Sequence, residues 1–408
     1  MTVDSTDRAA ERLLAHRPFL LYFFGRGFSR FAAQMATVAL GWQVYELTGS
    51  AFHLGLIGLV QFLPTAVLVF VAGHAADRYD RQRVVQICQI VQACAAAFLF
   101  WGTLQGWMTV NGIYVAVAVF GLAGAFESPA TAALLTGVAP HGQFQRAAAL
   151  ANGMFQLAVI AGPAIGGFAY AAGPAVPYGI MTGFWILGSL LNGAIRLDRP
   201  PGERPAPRIS DFLAGIHFVR SDQAILGTIS LDLFAVLLGG ATALMPIYAS
   251  DILHTGPWGL GVLRAAPAVG ALAMTLYLAR RTIARRVGLR MLQAVMIFGL
   301  ATFVFALSRT MWLSLAALVV MGAADTISVV IRTSLVQLRT PDEMRGRVGA
   351  VNYLFVNASN QLGEFESGMT AALFGTVPAA VIGGVGTMLV ALLWMRVFPS
   401  LRKVERLE

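Results

Sequence analysis

Charge is what this sequence has least of. Only 12% of its 408 residues are Asp, Glu, Lys or Arg, against about 25% in soluble domains, which argues against a water-soluble fold. There is a single lysine, Lys403, so no Gly-Lys-Ser/Thr phosphate loop exists and ATP cannot be used through one. No His-Glu-x-x-His zinc motif occurs either. The two cysteines, Cys88 and Cys94, lie six apart in one apolar stretch, which suits neither a disulfide nor a metal site, and they read as packing residues. The opening segment, Met1 to Pro18, carries Asp4, Asp7, Arg8, Glu11 and Arg12 but no short apolar core with a small-residue cleavage site. No removed signal peptide is expected, and the first apolar run serves as the insertion signal.

What the chain has in abundance is apolar length: 57% of residues are hydrophobic and the mean hydropathy is +0.70. Runs of about 18 or more apolar residues, each enough to cross hydrocarbon about 30 Å thick, occur near 19–46, 53–76, 84–104, 111–138, 147–170, 178–195, 224–250, 259–279, 291–307, 312–335, 348–374 and 377–395. The expected fold is therefore an all-α membrane protein of twelve transmembrane helices. A net charge of +9 could suggest nucleic acid, so the placement of the charge decides. Of the 29 Lys and Arg, all but Arg26, Arg30, Arg264, Arg332 and Arg309 fall in the terminal segments and even-numbered connections. That is positive-inside asymmetry, with both termini in the cytoplasm. The partner is a lipid bilayer, not nucleic acid.

Between Arg196 and Gln223 the sequence turns polar and Pro-rich, giving an expected division into 1–198, a cytoplasmic linker 199–223 and 224–408. Within the linker, Ile209, Phe212, Leu213, Ile216 and Phe218 form the apolar face of a short helix that could lie on the membrane. The two halves repeat. At a shift of 201 residues Pro140 falls on Pro341 and Arg146 on Arg347, while Gly162, Pro163, Gly166 and Gly167 fall on Gly363, Glu364, Ser367 and Gly368. A shift of 203 aligns Pro64 with Pro267. Parallel six-helix repeats are a transporter architecture, with a substrate site near the midplane.

After the second run comes Gly73-His-Ala-Ala-Asp77-Arg78-Tyr-Asp80-Arg81-Gln-Arg83, a turn in which an acid beside a helix N-terminus and three arginines can make or break charge-assisted bonds. Arginines there also suit a purely topogenic loop, but Gly73 and Asp77 at this spacing do not follow from that. The stretch resembles the loop motif of the major facilitator superfamily, and the resemblance covers essentially the whole chain. Gly162-Pro163-Ala-Ile-Gly166-Gly167 in the fifth run is similar to that superfamily's antiporter motif, associated with exporters. Small residues there permit close helix approach, and Pro163 bends the helix. Leu231-Asp232, Arg264-Ala-Ala-Pro267, Thr340 to Arg347 and Asn360 to Gly368 resemble the branch of enterobactin exporters and drug-efflux carriers. The loop after the eighth run, Arg280 to Arg286, departs from the motif in lacking an acid at the place of Asp77, so only the first half is expected to form the full latch. The resemblance implies a non-enzymatic secondary transporter of the bacterial inner membrane, without cofactor or metal and acting as a monomer. It would export a siderophore-like or drug-like molecule by alternating access in antiport with protons. Uptake or facilitated exchange is the main alternative, and a lipid flippase or intramembrane enzyme a more distant one.

Ionisable residues in hydrocarbon cost at least about 2.5–3.5 kcal/mol and so face cavities or pair. Arg26, Arg30, Glu127, Asp232, Asp325 and Arg332 occupy the first, fourth, seventh and tenth runs, which line the central cavity in the superfamily the chain resembles. Three bases face three acids, as neutral structural pairs or as substrate contacts, with Arg26 and Arg30 meeting an anionic or catechol-like group. Glu364 and Glu366 have no base on their own helix, which makes them candidates to carry protons. Being two apart, they point to different sides. Hydrogen bonds to Asn357, Asn360 or Gln361 are the structural alternative for these two acids.

Overall fold

Twelve long helices occur among the described residues. The computed structural model describes residues 13, 15–140, 142–196, 209–281 and 286–405, without the side chains of 69–70, 73–77 and 209–211. The first set is α1 (Arg17–Thr48), α2 (Ala51–Arg78), α3 (Arg81–Leu104), α4 (Val110–Val138), α5 (Phe144–Ala172) and α6 (Val176–Gly193). A short α7 (Ile209–Ser221) precedes α8 (Gln223–Ile252), α9 (Gly256–Arg280), α10 (Val287–Leu307), α11 (Met311–Arg339), α12 (Arg345–Phe374) and α13 (Thr376–Val397). No strand occurs among the described residues. Helix starts are set by short polar side chains that accept from free backbone N–H groups. Asp80 accepts from Gln82 N at α3, Thr109 from Gly112 N at α4, and Asp222 from Ala224 N and Ile225 N at α8. Gly375, at φ 92°, turns the chain between α12 and α13 in a conformation that L side chains resist. α8 is broken at Gly239–Gly240 and resumes through a 3-10 turn and a π-turn, Tyr248–Ile252.

Among the described residues nine of these helices are long and apolar enough to cross a membrane by composition alone. The three that fall short are α1, α6 and α12. They carry Arg26 and Arg30, Ser189 and Asn192, and Glu364 and Glu366 respectively, polar side chains that lower their hydropathy, Ser189 and Asn192 being buried.

The internal repeat is reproduced in the helix boundaries. Val110 and Met311 open α4 and α11, and Phe144 and Arg345 open α5 and α12, each pair 201 residues apart. The turns before α5 and α12 close alike, by Gln143 N to Pro140 O at 3.0 Å and Met344 N to Pro341 O at 2.9 Å.

By its internal contacts the chain divides into two compact units, Met1–Leu40 with Leu63–Pro207, and Gly41–Phe62 with Arg208–Glu408. In the first, Tyr22, Leu134 and Val138 are fully or almost fully buried in one cluster. In the second, Leu231, Leu292, Ile331 and Leu335 knit α8, α10 and α11 together. The end of α1 and the start of α2 belong to this second unit. There Tyr45 donates to the Asp251 carboxylate, and Gly55 lies against Gly368 of α12, where an added Cβ would stand 3.0 Å from the Gly368 Cα. The linker helix corrects one expectation. Phe212, Ile216 and Phe218 of α7 pack against Val219, Ile225, Val336 and Val348 rather than lying free on a membrane, while Leu213 stays exposed. Residues 199–208 of the expected linker lie outside the described residues.

Candidate functional site

In the first unit α1, α3, α4 and α6 converge on Glu127. Its Oε1 accepts from Ser29 Oγ at 2.7 Å and from Gln89 Nε2 at 3.0 Å, and Gln89 Oε1 in turn accepts from Asn192 Nδ2 at 3.0 Å. Gln89 and Asn192 are 0% and 1% exposed. Glycine makes the approach possible: an added Cβ at Gly188 would stand 3.0 Å from Gly25 O and 3.2 Å from Gln89 Oε1. Arg26, one turn after Tyr22, donates to the Tyr22 hydroxyl at 2.7 Å, and that hydroxyl donates to Thr131 O at 3.3 Å. Arg30 lies 5.7 Å from the centroid of the Phe155 ring of α5, a cation–π distance. Within the first unit, neutral donors hold Glu127, and Arg26 and Arg30 turn to aromatic neighbours. The reason is geometric, since Arg26 points back along its own helix and Arg30 towards α5.

The first half of the repeat packs as its glycines require. An added Cβ at Gly162 would stand 2.6 Å from Gln34 Cβ, and one at Gly166 3.0 Å from Met35 Cα, so α5 lies directly on α1. Pro163 sits inside α5, and Gly167 is buried. The second half repeats the contact, with Gly363 of α12 on Val236 and Leu237 of α8.

In the second unit Asp232 of α8 and Arg332 of α11 form a buried ion pair, their side chains 6% and 5% exposed. Asp325 lies on the same face as Arg332 and lines a small cavity with Asp232. Glu364 packs against α2, where an added Cβ at Gly58 would meet its Oε2 at 3.0 Å. Its electrostatic counterpart is Arg264 of α9, within Coulombic reach but not in direct ion-pair contact. Arg264 Nε has no hydrogen-bond partner. Glu366 points elsewhere, accepting from Thr370 Oγ1 at 2.7 Å and Ser367 Oγ at 3.4 Å. Asn357 and Asn360 bond to backbone carbonyls of their own helix instead of to either acid.

At the charged loop, the acid that caps a helix start is Asp80, whereas Asp77 falls in the last turn of α2. The side chains of Gly73 and Asp77 lie outside the described residues. Arg83 reaches Asp80 at 3.7 Å in solvent, Arg78 is exposed, and Arg81 is 8% exposed with its guanidinium 3.5 Å from Ala133 O of α4.

Several members of these clusters escape sequence reasoning. Ser29, Gln89, Asn192 and Ser328 are uncharged and read as ordinary polar residues in apolar runs. Arg264 is visible as a charge inside a run, but its partner stands 100 residues away. No group of three or more His, Cys, Asp or Glu among the described residues could hold a metal.

A helical chain in which nine helices among the described residues are long and apolar enough to cross a membrane, with polar side chains held between helices, is of the multi-pass membrane class. The family model described as Major Facilitator Superfamily matches residues 22–364, and the chain belongs to that superfamily. It is 29% identical over 416 residues to the multidrug efflux pump Tap of Mycobacterium tuberculosis, covering 95% of each chain. It is 27% identical over 402 residues to the enterobactin exporter EntS of Citrobacter koseri, covering 97% of this chain and 95% of that one. Among solved structures, a bacterial homologue of the human lysosomal transporter Spinster superposes with a TM-score of 0.70 at 14% identity, over 95% of this chain and 96% of that one. The peptide transporter POT gives 0.74 at 12% identity, over 95% of each.

Proposed function

We propose that the chain exports a small organic molecule, siderophore-like or drug-like, from the cytoplasm across a bacterial inner membrane, in antiport with protons and as a monomer. The observation that carries the reading is Glu364: a carboxylate inside a transmembrane helix, packed on Gly58 and facing Arg264 without touching it. With Glu364 ionised, the two charges hold each other. Once Glu364 is protonated, Arg264 loses its counter-charge and is free to take an anionic or catechol-like group. The direction of transport is supported by the two relatives, an efflux pump and an exporter, and by Gly162 and Gly166 at the α1–α5 contact. Arg26 and Arg30 are the proposed substrate contacts of the first half. Both termini are cytoplasmic in this reading, the halves are 1–198 and 224–408, and Asp77, Arg78, Arg81 and Arg83 form the gating loop that biases one facing state.

The test is transport in inside-out vesicles with enterobactin and ethidium as probes. Wild type should accumulate one of them when a pH gradient is applied and lose it when the gradient is collapsed. Glu364→Gln, which mimics the protonated acid, should keep exchange of preloaded probe and lose gradient-driven accumulation. Accumulation at the wild-type level in Glu364→Gln would remove Glu364 from coupling.

A further inference from the structure

One end of the α10–α13 pair gathers positive charge that no acid answers. The two helices meet at glycine: an added Cβ at Gly299 would stand 2.9 Å from Gly384 O and 2.8 Å from Met388 Cγ. From that contact Arg290 lies nine residues back along α10 and Arg396 eight residues on along α13, about 12–14 Å towards the same end at 1.5 Å per residue. Past α13 the chain turns at Pro399–Arg402 and folds back over this end. Leu401 and Val404 are 0% and 6% exposed beside Ala224, Val287, Met291 and Leu292, and Gly288 N donates to Val404 O at 3.0 Å. The fold-back brings Arg402 and Lys403 to Arg286, Arg290 and Arg396, all five exposed. Among the described residues none of the five has an ion-pair partner. With Glu405, the acid on this tail, they sum to five minus one, or +4. Next to the charge each helix turns an apolar stripe outward. Leu389 and Leu393 of α13, 59% and 52% exposed, share a face with Arg396 at i, i+4 and i+7, and Ile297 of α10, 45% exposed, stands seven residues beyond Arg290. Exposed apolar side chains of membrane helices lie against acyl chains.

We propose that this end of the α10–α13 pair binds one phospholipid with two phosphates, a diphosphatidylglycerol, in the cytoplasmic leaflet. Positive-inside topology accounts for the side of the membrane on which these bases lie. It does not account for a tail that is packed back by Leu401 and Val404 so that its bases join those of two other helix ends. Clustered bases at the end of a membrane helix attract anionic headgroups, and arginine grips a phosphate with two parallel N–H bonds. Two phosphates match the charge better than one, because one set of bases comes from α10 and the other from α13 and the tail. Two stripes side by side likewise suit the paired acyl chains of two phosphatidyl groups. Bound there, the lipid ties the tail to both helices and relieves the mutual repulsion of the five bases. The choice of leaflet rests on the reading that both termini are cytoplasmic. Binding itself depends neither on that nor on the direction or coupling of transport.

Native mass spectrometry of the purified full-length chain in detergent tests this without a transport substrate. The protein is titrated with tetraoleoyl cardiolipin, dioleoyl phosphatidylglycerol, dioleoyl phosphatidylethanolamine and inorganic pyrophosphate. One cardiolipin should stay bound per chain, more tightly than phosphatidylglycerol, with no retention of phosphatidylethanolamine or pyrophosphate. Each base removed should weaken binding about fivefold, so Arg290→Gln, Arg396→Gln and Arg402→Gln together should lower cardiolipin affinity about 100-fold. Lysine at the same three positions keeps the charge and should keep most of the affinity. Removing as much charge from the first half, by Arg17→Gln, Arg146→Gln and Arg196→Gln, should leave cardiolipin binding unchanged. Equal losses in the two glutamine triples would reduce the effect to overall charge and overturn the proposal. So would pyrophosphate bound as tightly as cardiolipin, which would make this a site for free phosphate, or phosphatidylethanolamine bound as tightly, which would make the headgroup charge irrelevant.

Discussion

The contact between the tip of the first hairpin and α12 should be tunable by one methyl group. Gly368 faces Gly55, and an added Cβ there would stand 2.6 Å from Gly55 Cα, 2.7 Å from Gly55 N and 2.8 Å from Ala51 O. These are backbone atoms of a neighbouring helix and have no rotamer to yield. Overpacking of this kind costs about 1–3 kcal/mol. Only the joined state bears that cost, so Gly368→Ala should favour the parted state by about 5- to 150-fold. The assay is alkylation of a single cysteine, Gln361→Cys, in a chain freed of Cys88 and Cys94. Gln361 lies in the contact, its carbonyl 2.8 Å from where a Gly58 Cβ would be, and its side-chain oxygen is buried. A hydrophilic maleimide should modify it faster in Gly368→Ala by a factor within that range. Gly349→Ala, on the same helix with nothing within 4 Å of an added Cβ, should leave the rate unchanged. Equal rates in Gly368→Ala and its parent would refute the expectation that α2 and α12 part in the proposed alternating-access cycle.

Arg332→Ala leaves Asp232 and Asp325 buried without a base and should cost about 3–5 kcal/mol in thermal unfolding, whereas Asp232→Leu with Arg332→Leu should be near neutral; a single variant as stable as wild type would contradict the buried pair. Asp77→Asn should insert and fold but turn over much more slowly, as measured in proteoliposomes, and wild-type turnover would reduce the loop to a topogenic role. Reporters fused after Asp198, Arg286 and Glu408 should read cytoplasmic and one after Gly256 periplasmic, a pattern that a cytoplasmic signal at Gly256 would break.

The repeat was legible because punctuation survives in an apolar sequence: Pro140 and Pro341, in register between the halves, mark turns that close alike. Partner choice was not legible. A helix apolar on all sides has no periodic stripe to say which face meets which neighbour, so the charges of α1, α4, α8 and α11 could be counted but not paired. Arg26 took Tyr22 and Glu127 took Ser29 and Gln89, because neutral hydroxyls and amides satisfy a buried charge as effectively as an opposite charge when they are nearer. In the charged loop Asp80 accepts from Gln82 N at the start of α3, while the side chain of Asp77 lies outside the described residues. Phe212, Ile216 and Phe218 of α7 pack on the chain itself, because hydropathy does not distinguish lipid from the flank of α12.

The repeat sets Pro163 of α5 and Glu364 of α12 at the same place in two matching helix pairs. Proline at that place is permanent: it removes a backbone donor in every state of the molecule, whatever the surroundings. Glutamate at that place is conditional: under the proposed coupling role its charge would change with each proton bound or released. The same position of the repeat would then hold a fixed bend in one helix and a reversible charge in the other.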